Sequence, residues 1–243
     1  MGSKQKEKKN KEKIVLDFSK GRVFKSRPFV SNRLHKQSDG GMRKLGNGFF
    51  KENTVKTAKS LLGKYLVTNK GGKKTAGMIV ETEAYRGKDD PGSHAFRKKT
   101  DRNALMFGRP GKAYVYFCYG CHYLFNIVTE PEGEAGAVLI RAIEPSTGID
   151  IMMARRKTFD INNVSNGPGK LTEALGIGRK DNGKGLAGSE IYAAAGPVKR
   201  FKTASGPRIG IKTGLDKKWR FWIKGSRFIS VKERNCKKKR KVK

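Results

Sequence analysis

Acidic residues are scarce in this 243-residue chain: 21 Asp and Glu stand against 55 Lys and Arg, a formal net charge of +34. A field of that sign and size disfavours cationic partners and attracts polyanions, nucleic acid first and acidic membrane surfaces second. Long apolar runs are missing, and without a stretch of about 18 such residues no bilayer-spanning helix is expected. The opening residues MGSKQKEKKNKEK lack the apolar segment of a secretory signal, so export is not expected either. Only three cysteines occur, and in a chain that is not exported they should be reduced thiols, not a disulfide framework. Histidine is as rare, with His35, His94 and His122 the only ones, which leaves little material for a metal site.

What is present divides into three parts. Residues 1–45 are rich in Lys, Arg, Ser, Asn and Gly and read as a disordered basic arm. Residues 234–243 form a second basic tail, whose KKKRKV run resembles a monopartite nuclear-localisation signal; a solvated tail without a receptor is the competing reading. On that basis the location is expected to be nuclear in a eukaryote and otherwise cytoplasmic or nucleoid. Between the tails, residues 46–233 alternate short helical and strand-like patterns and make up one domain. Asn53 offers an N-cap to a helical stripe of Val55, Ala58, Leu61 and Leu62, and Tyr65–Val67 and Gly77–Val80 read as strands around the turn Lys70-Gly71-Gly72. Thr100 offers a cap to a short helix ending at Gly108, and Ser146 or Thr147 a cap to a helix through Ile149, Met152 and Met153. Strand patterns also cover Tyr114–Phe117, Tyr123–Val128, Ala137–Ile143, Ile191–Ala194, Arg208–Ile211, Arg220–Ile223 and Phe228–Val231. Many strands joined by short turns predict an α+β domain, a curved antiparallel β-sheet with helices packed around it and one protruding β-hairpin.

The segment YVYFCYGCHYLFNIV contains Cys118-Tyr119-Gly120-Cys121-His122, a spacing shared with c-type haem attachment, redox pairs and zinc half-sites. Haem attachment requires export. A fourth zinc ligand would have to come from His35 or Cys236, both in the tails, or from His94. A redox pair normally opens a helix, whereas here a second strand-like run follows. The aromatic and β-branched flanks argue instead for a hairpin with Gly120 in the turn. Its tip would project Tyr119 from a basic surface, either as a plain turn residue or as a wedge able to part stacked bases.

Two further patterns could carry chemistry. In IVETEAYRG, period two places Glu81, Glu83 and Tyr85 on one strand face. Buried carboxylates are costly unless paired or used. Salt bridges to Arg or Lys are the plainer reading, and a general base beside a stacked ring is the functional one. A polar loop follows, carrying His94, which by itself proves little.

VETEAYRG, His94, KTDRNALMF, the hairpin YVYFCYG, Asn126 and AGAVLIRAIEP occur in the order and spacing of the alkyladenine (3-methyladenine) DNA glycosylases, and NGPGKLTEALGI and RIGI are similar to the same family. The resemblance spans about residues 50–232, nearly everything outside the tails. It implies a monofunctional enzyme that rotates 3-methyladenine, 7-methylguanine, hypoxanthine or ethenoadenine out of duplex DNA. Hydrolysis of the N-glycosidic bond would then leave an abasic site for base-excision repair.

By that resemblance Tyr119 intercalates, Tyr85, His94 and Tyr116 wall the base, and Glu83 rather than Glu81 is the general base. Arg141 and the Ile209 carbonyl help to hold the attacking water. Asn126 obstructs the amino group of normal guanine, and the His94 backbone N–H reads the base edge. No cofactor and no metal are implied. The partner is double-stranded DNA with damaged purines, membranes are not involved, and a monomer suffices because one flipped base needs one pocket. Cys121 and His122 depart from the bulkier side chains expected after the hairpin turn. Gly167-Pro168-Gly169-Lys170-Leu171 lacks the spacing and the Ser/Thr of an ATP loop, and a Gly-Pro helix start could instead hold a DNA phosphate. The rival classes are a non-catalytic basic nucleic-acid-binding protein and a redox or zinc protein centred on Cys118 and Cys121.

Overall fold

A computed structural model describes residues 42–118, 120–197 and 200–231, and the strand backbones at 14–17 and 22–25. The chain separates into two compact units, Met1–Gly40 and Gly41–Lys243. Within the first, β1 (Ile14–Asp17) and β2 (Arg22–Lys25) pair antiparallel. The rest of the expected arm up to residue 41, the expected tail and Tyr119 lie outside the described residues.

The second unit opens with β3 (Arg43–Lys44), α1 (Asn47–Phe50) and α2 (Thr54–Ser60), followed by β4 (Tyr65–Lys70) and β5 (Lys73–Arg86). The hairpin β6 (Ala113–Cys118) and β7 (His122–Val128) leads to β8 (Gly136–Thr147), α3 (Ile149–Arg156) and α4 (Pro168–Leu175). Three strands complete it: β9 (Ile191–Ala195), β10 (Thr203–Gly206) and β11 (Arg220–Ile223). These strands make one nine-stranded sheet in the order β3-β9-β4-β5-β8-β7-β6, with β11 joined to β5 and β10 to β11. Every pairing is antiparallel. The architecture is the α+β class that the strand-rich pattern predicted.

The longest strand is the centre of the design. From Thr75 to Ala84 every residue of β5 is buried, because the sheet is covered on both faces and Val, Ile and Thr fill a pleated, half-enclosed surface well. On one face Ile79 and Ile140 join Leu61, Phe125, Leu171 and Leu175 in the main core. The helix α2 is tied on by the Thr82 hydroxyl, which donates to the Ala58 carbonyl at 2.8 Å. Asn53 caps α2 as expected, its side chain accepting from the Val55 and Lys56 N–H groups. Register between β5 and β8 shifts around Glu81, where Glu81 faces Ala142 and Thr82 already faces Ile140. Arg141 is therefore the unpaired residue of a bulge, the device by which a strand re-aims one side chain.

Four local expectations are corrected. Arg208–Ile211 and Phe228–Val231 are not strands. Gly210 turns the first at φ +82° and Gly225 precedes the second at φ +79°, and the N–H groups of Ile209 and Ser230 bond to glutamates instead of a ladder. The cap before α3 is Gly148, at φ +64°, because β8 continues through Ser146 and Thr147. The helix after Thr100 is a single 3₁₀ turn, Ala104–Phe107, preceded by Asn103, whose side chain accepts from the Thr100 N–H.

Candidate active site

A cavity of about 420 Å³ opens where the ends of β5–β8 meet the loop that follows Gly206. Its aromatic side comes from Tyr85 on β5, His94 in the following loop, and Tyr114 and Tyr116 on β6. Tyr114 and Tyr116 both point inward because strand residues two apart share a face, and the exposed Phe117 that follows them lies against Tyr123 on the other side of the hairpin. The His94 ring meets Tyr116 edge-on at 5.0 Å, and its Nδ1 is 3.3 Å from the Tyr114 hydroxyl. Burial, and then the nearby Arg102 cation, lower the His94 pKa from 6.5 and so favour the neutral ring. Burial pushes the Tyr114 hydroxyl up to about 12 and raises Tyr116 still further. The walls are thus uncharged rings, suited to a flat apolar partner.

Beside these rings lie Asn126 and Leu124 of β7, the cross-strand partners of Tyr114 and Tyr116, and then Ala137 and Leu139 of β8. Asn126 is buried, and its side-chain amide donates to the Tyr114 carbonyl at 3.1 Å, which fixes its orientation. Cys118, His122 and the start of α4 line the rim. The ring of His122 sits so close to Gly169 that a Cβ there would be 2.7 Å away, so the hairpin leans on the helix start only because that residue is glycine. Among the described residues no group of three or more His, Cys, Asp or Glu side chains could hold a metal. The CYGCH segment is a hairpin end, with Gly120 at φ +68° in its turn.

Behind the cavity stand the two carboxylates, both fully buried. Glu83 accepts three hydrogen bonds: from the Tyr85 hydroxyl at 2.8 Å and Arg141 Nη1 at 3.2 Å on Oε2, and from the Ile209 N–H at 2.7 Å on Oε1. The three donor residues all line the cavity. Burial and the Glu83 charge raise the Tyr85 pKa well above 10, so the phenol keeps the proton it donates. Glu81 instead accepts from Arg220 Nε at 2.6 Å and from the Ser230 N–H and hydroxyl at 2.5 and 2.9 Å. Arg141 bridges the two, its Nε 3.5 Å from Glu81. Period two alone left Glu81 and Glu83 equivalent. The C-terminal segment separates them by enclosing Glu81 in protein donors.

All the site residues predicted from sequence within the described region, namely Glu83, Tyr85, His94, Tyr116, Asn126, Arg141 and Ile209, converge on this cavity or directly behind it. Ile209 meets Glu83 through its N–H. Sequence reasoning missed three supports. Asn103 donates to the His94 carbonyl at 2.7 Å and the Lys98 carbonyl at 2.9 Å, holding the His94 loop. Asp90 and Arg208 form a buried ion pair beside Tyr85. The asparagine within TDRN was a visible signal; the ion pair joins distant segments and had none.

The family model for methylpurine-DNA glycosylase matches residues 48–227. A protein of Chlorobaculum tepidum, provisionally named 3-methyladenine DNA glycosylase, is 48% identical over 191 residues, 78% of this chain and 91% of its own. Similarly named proteins of Prosthecochloris aestuarii and Carboxydothermus hydrogenoformans are 48% and 47% identical, covering 78% and 77% of this chain and 92% and 99% of theirs.

Proposed function

This chain belongs to the methylpurine-DNA glycosylase family and is a DNA glycosylase; we propose that it flips alkylated or deaminated purines from duplex DNA and hydrolyses their N-glycosidic bond with a water activated by Glu83. The observation that carries this reading is the setting of Glu83: a buried carboxylate at the back of an aromatic cavity, held by three donors that line that cavity.

The cavity is of the size that takes a small planar ligand. Tyr85, His94 and Tyr116 supply ring faces and edges for a flipped base. Base–aromatic stacking is worth about 1–3 kcal/mol per base, enough to offset much of the unstacking cost. Glu83 takes a proton from water as the oxygen attacks C1′, and the C1′–N bond breaks with its electron pair leaving on the base. Arg141 and Tyr85 hold the carboxylate, while Arg141 also orients the water. For 3-methyladenine and 7-methylguanine the base departs neutral because it begins cationic. Hypoxanthine and ethenoadenine leave better when protonated.

Asn126, held by its bond to Tyr114, is proposed to obstruct the amino group of normal guanine. Tyr119, beyond the described residues, is proposed as the wedge at the hairpin tip. The substrate is damaged duplex DNA engaged by a monomer. Lysines of the arm and tail add sequence-independent affinity through counterion release, and the C-terminal run is proposed as a nuclear signal if the source is eukaryotic.

The test is release of hypoxanthine, ethenoadenine or 7-methylguanine from a lesion duplex by wild type and Glu83→Gln, with duplex binding scored separately. Wild type is expected to release at least one base without cleaving the strand, and Glu83→Gln to bind but not release. No release by wild type, or full activity of Glu83→Gln, overturns the reading.

A further inference from the structure

Arg208 and Asp90 stand 118 residues apart in the chain yet form a two-pronged ion pair, Nη1 to Oδ2 at 2.6 Å and Nη2 to Oδ1 at 2.5 Å. Both side chains are fully buried, and neither reaches the cavity wall. A buried pair carries a desolvation cost that apolar residues would avoid, so its presence is weak evidence for stability alone. Arg208 Nη2 also donates to the Gly214 carbonyl at 3.4 Å, but its other connections run toward Glu83 and Tyr85. Arg208 Nη1 also donates at 2.9 Å to the carbonyl of Ala84, the residue between Glu83 and Tyr85. The guanidinium lies 4.7 Å from the centre of the Tyr85 ring and 5.4 Å from that of Trp219. The next residue, Ile209, directs its N–H to Glu83 at 2.7 Å.

Asp90 organises the other loop. Its carboxylate accepts from the backbone N–H groups of Arg86 at 2.9 Å and Gly92 at 3.2 Å. The loops touch at Gly92, where a Cβ would stand 2.8 Å from Arg208 Nη2 and 3.0 Å from the Thr213 carbonyl. Only a residue without a side chain lets them close on one another at this point.

We infer that the Asp90–Arg208 pair is a positioning device for the reaction, holding the Tyr85 ring and the Ile209 N–H against Glu83. The inference rests on Glu83 being the general base. Sub-ångström placement of such groups matters because a misplacement of about 1 Å can lower a rate by 10²-fold. The pair acts through its neighbours and touches no reacting atom.

The experiment measures single-turnover release of hypoxanthine, ethenoadenine and 7-methylguanine by the full chain, with active molecules counted by titration against a duplex carrying a non-hydrolysable abasic analogue. Arg208→Met is expected to lower the rate constant per active molecule about 100-fold, and the milder Asp90→Asn about tenfold. Asp90→Asn keeps shape and one acceptor, so it also serves if Arg208→Met does not fold. In both variants the rate constant should fall while affinity for the lesion duplex stays within a few-fold of wild type, a split between chemistry and binding. A merely structural role would lower melting temperature and active fraction but leave the rate constant per active molecule alone; that result overturns the inference. Glu83→Gln in the same assay separates the two ideas. If Glu83→Gln is inactive while Asp90→Asn keeps the wild-type rate constant, only the positioning role falls. If Glu83→Gln is active, the general-base reading falls and the inference with it.

Discussion

Glu81 and Glu83 are the same residue type, two positions apart on one strand, on one face and equally buried. They differ in who supplies their donors. Glu81 is closed in by Arg220 and Ser230 from the C-terminal segment, whereas each donor to Glu83 is also part of the cavity wall. The contrast teaches that burial and facing do not make a carboxylate chemical. What distinguishes the two is whether the donors that hold them also line a cavity.

The comparison can be broken most directly by exchanging charge for shape at both positions. Glu83→Gln should lower single-turnover base release by about 10²–10⁴-fold, the usual contribution of a positioned base, with little change in melting temperature because Arg141 keeps Glu81. Glu81→Gln should do the reverse. It leaves Arg220 buried beside a neutral amide, a loss of about 3–5 kcal/mol, visible in denaturant unfolding while the rate per active molecule persists. Equal rate losses in both variants would erase the distinction.

Smaller changes sharpen it. Tyr85→Phe keeps the ring but removes one donor to Glu83. A hydrogen bond to a charged group is worth about 1.5–3 kcal/mol, so a tenfold to hundredfold slower release is expected with lesion binding nearly unchanged. Asn126→Ala should leave damaged-base release within a few-fold and allow slow release of normal guanine, checked on an undamaged duplex. The mildest effect concerns His94. Its folded pKa lies below 6.5, so the unfolded chain takes the proton more readily. Stability should therefore decline as pH falls from about 6.5 toward the folded value, and His94→Asn should flatten that slope in thermal melts.

Much of this site was readable before the structure. The strand around Glu83 announced itself by β-branched residues and period two, the hairpin by its aromatic flanks and Gly120, and α4 by its Gly-Pro start. Family resemblance, not periodicity, chose Glu83 over Glu81. Other features were not readable, because they depend on contacts between distant segments. No local pattern signals the bulge that turns Arg141 toward both carboxylates, and nothing in RIGI or in KDDPGSH shows that Arg208 and Asp90 meet. The same cause explains the two misjudged strands: Ile209 and Ser230 have strand-like neighbours, but their N–H groups are committed to glutamate side chains.

The strand that carries Glu83 is paired on both flanks from Glu81 to Ala84. One side pairs with β8 from Ala76 to Arg86 apart from the register shifts, and the other passes from β4 through Gly63 and Lys64 to Trp219 and β11. Backbone amides held on both sides open only with the sheet as a whole. Hydrogen exchange at Glu81–Ala84 should consequently be among the slowest in the molecule, and heating should abolish base release in the same transition that melts the sheet, with no earlier loosening of the site.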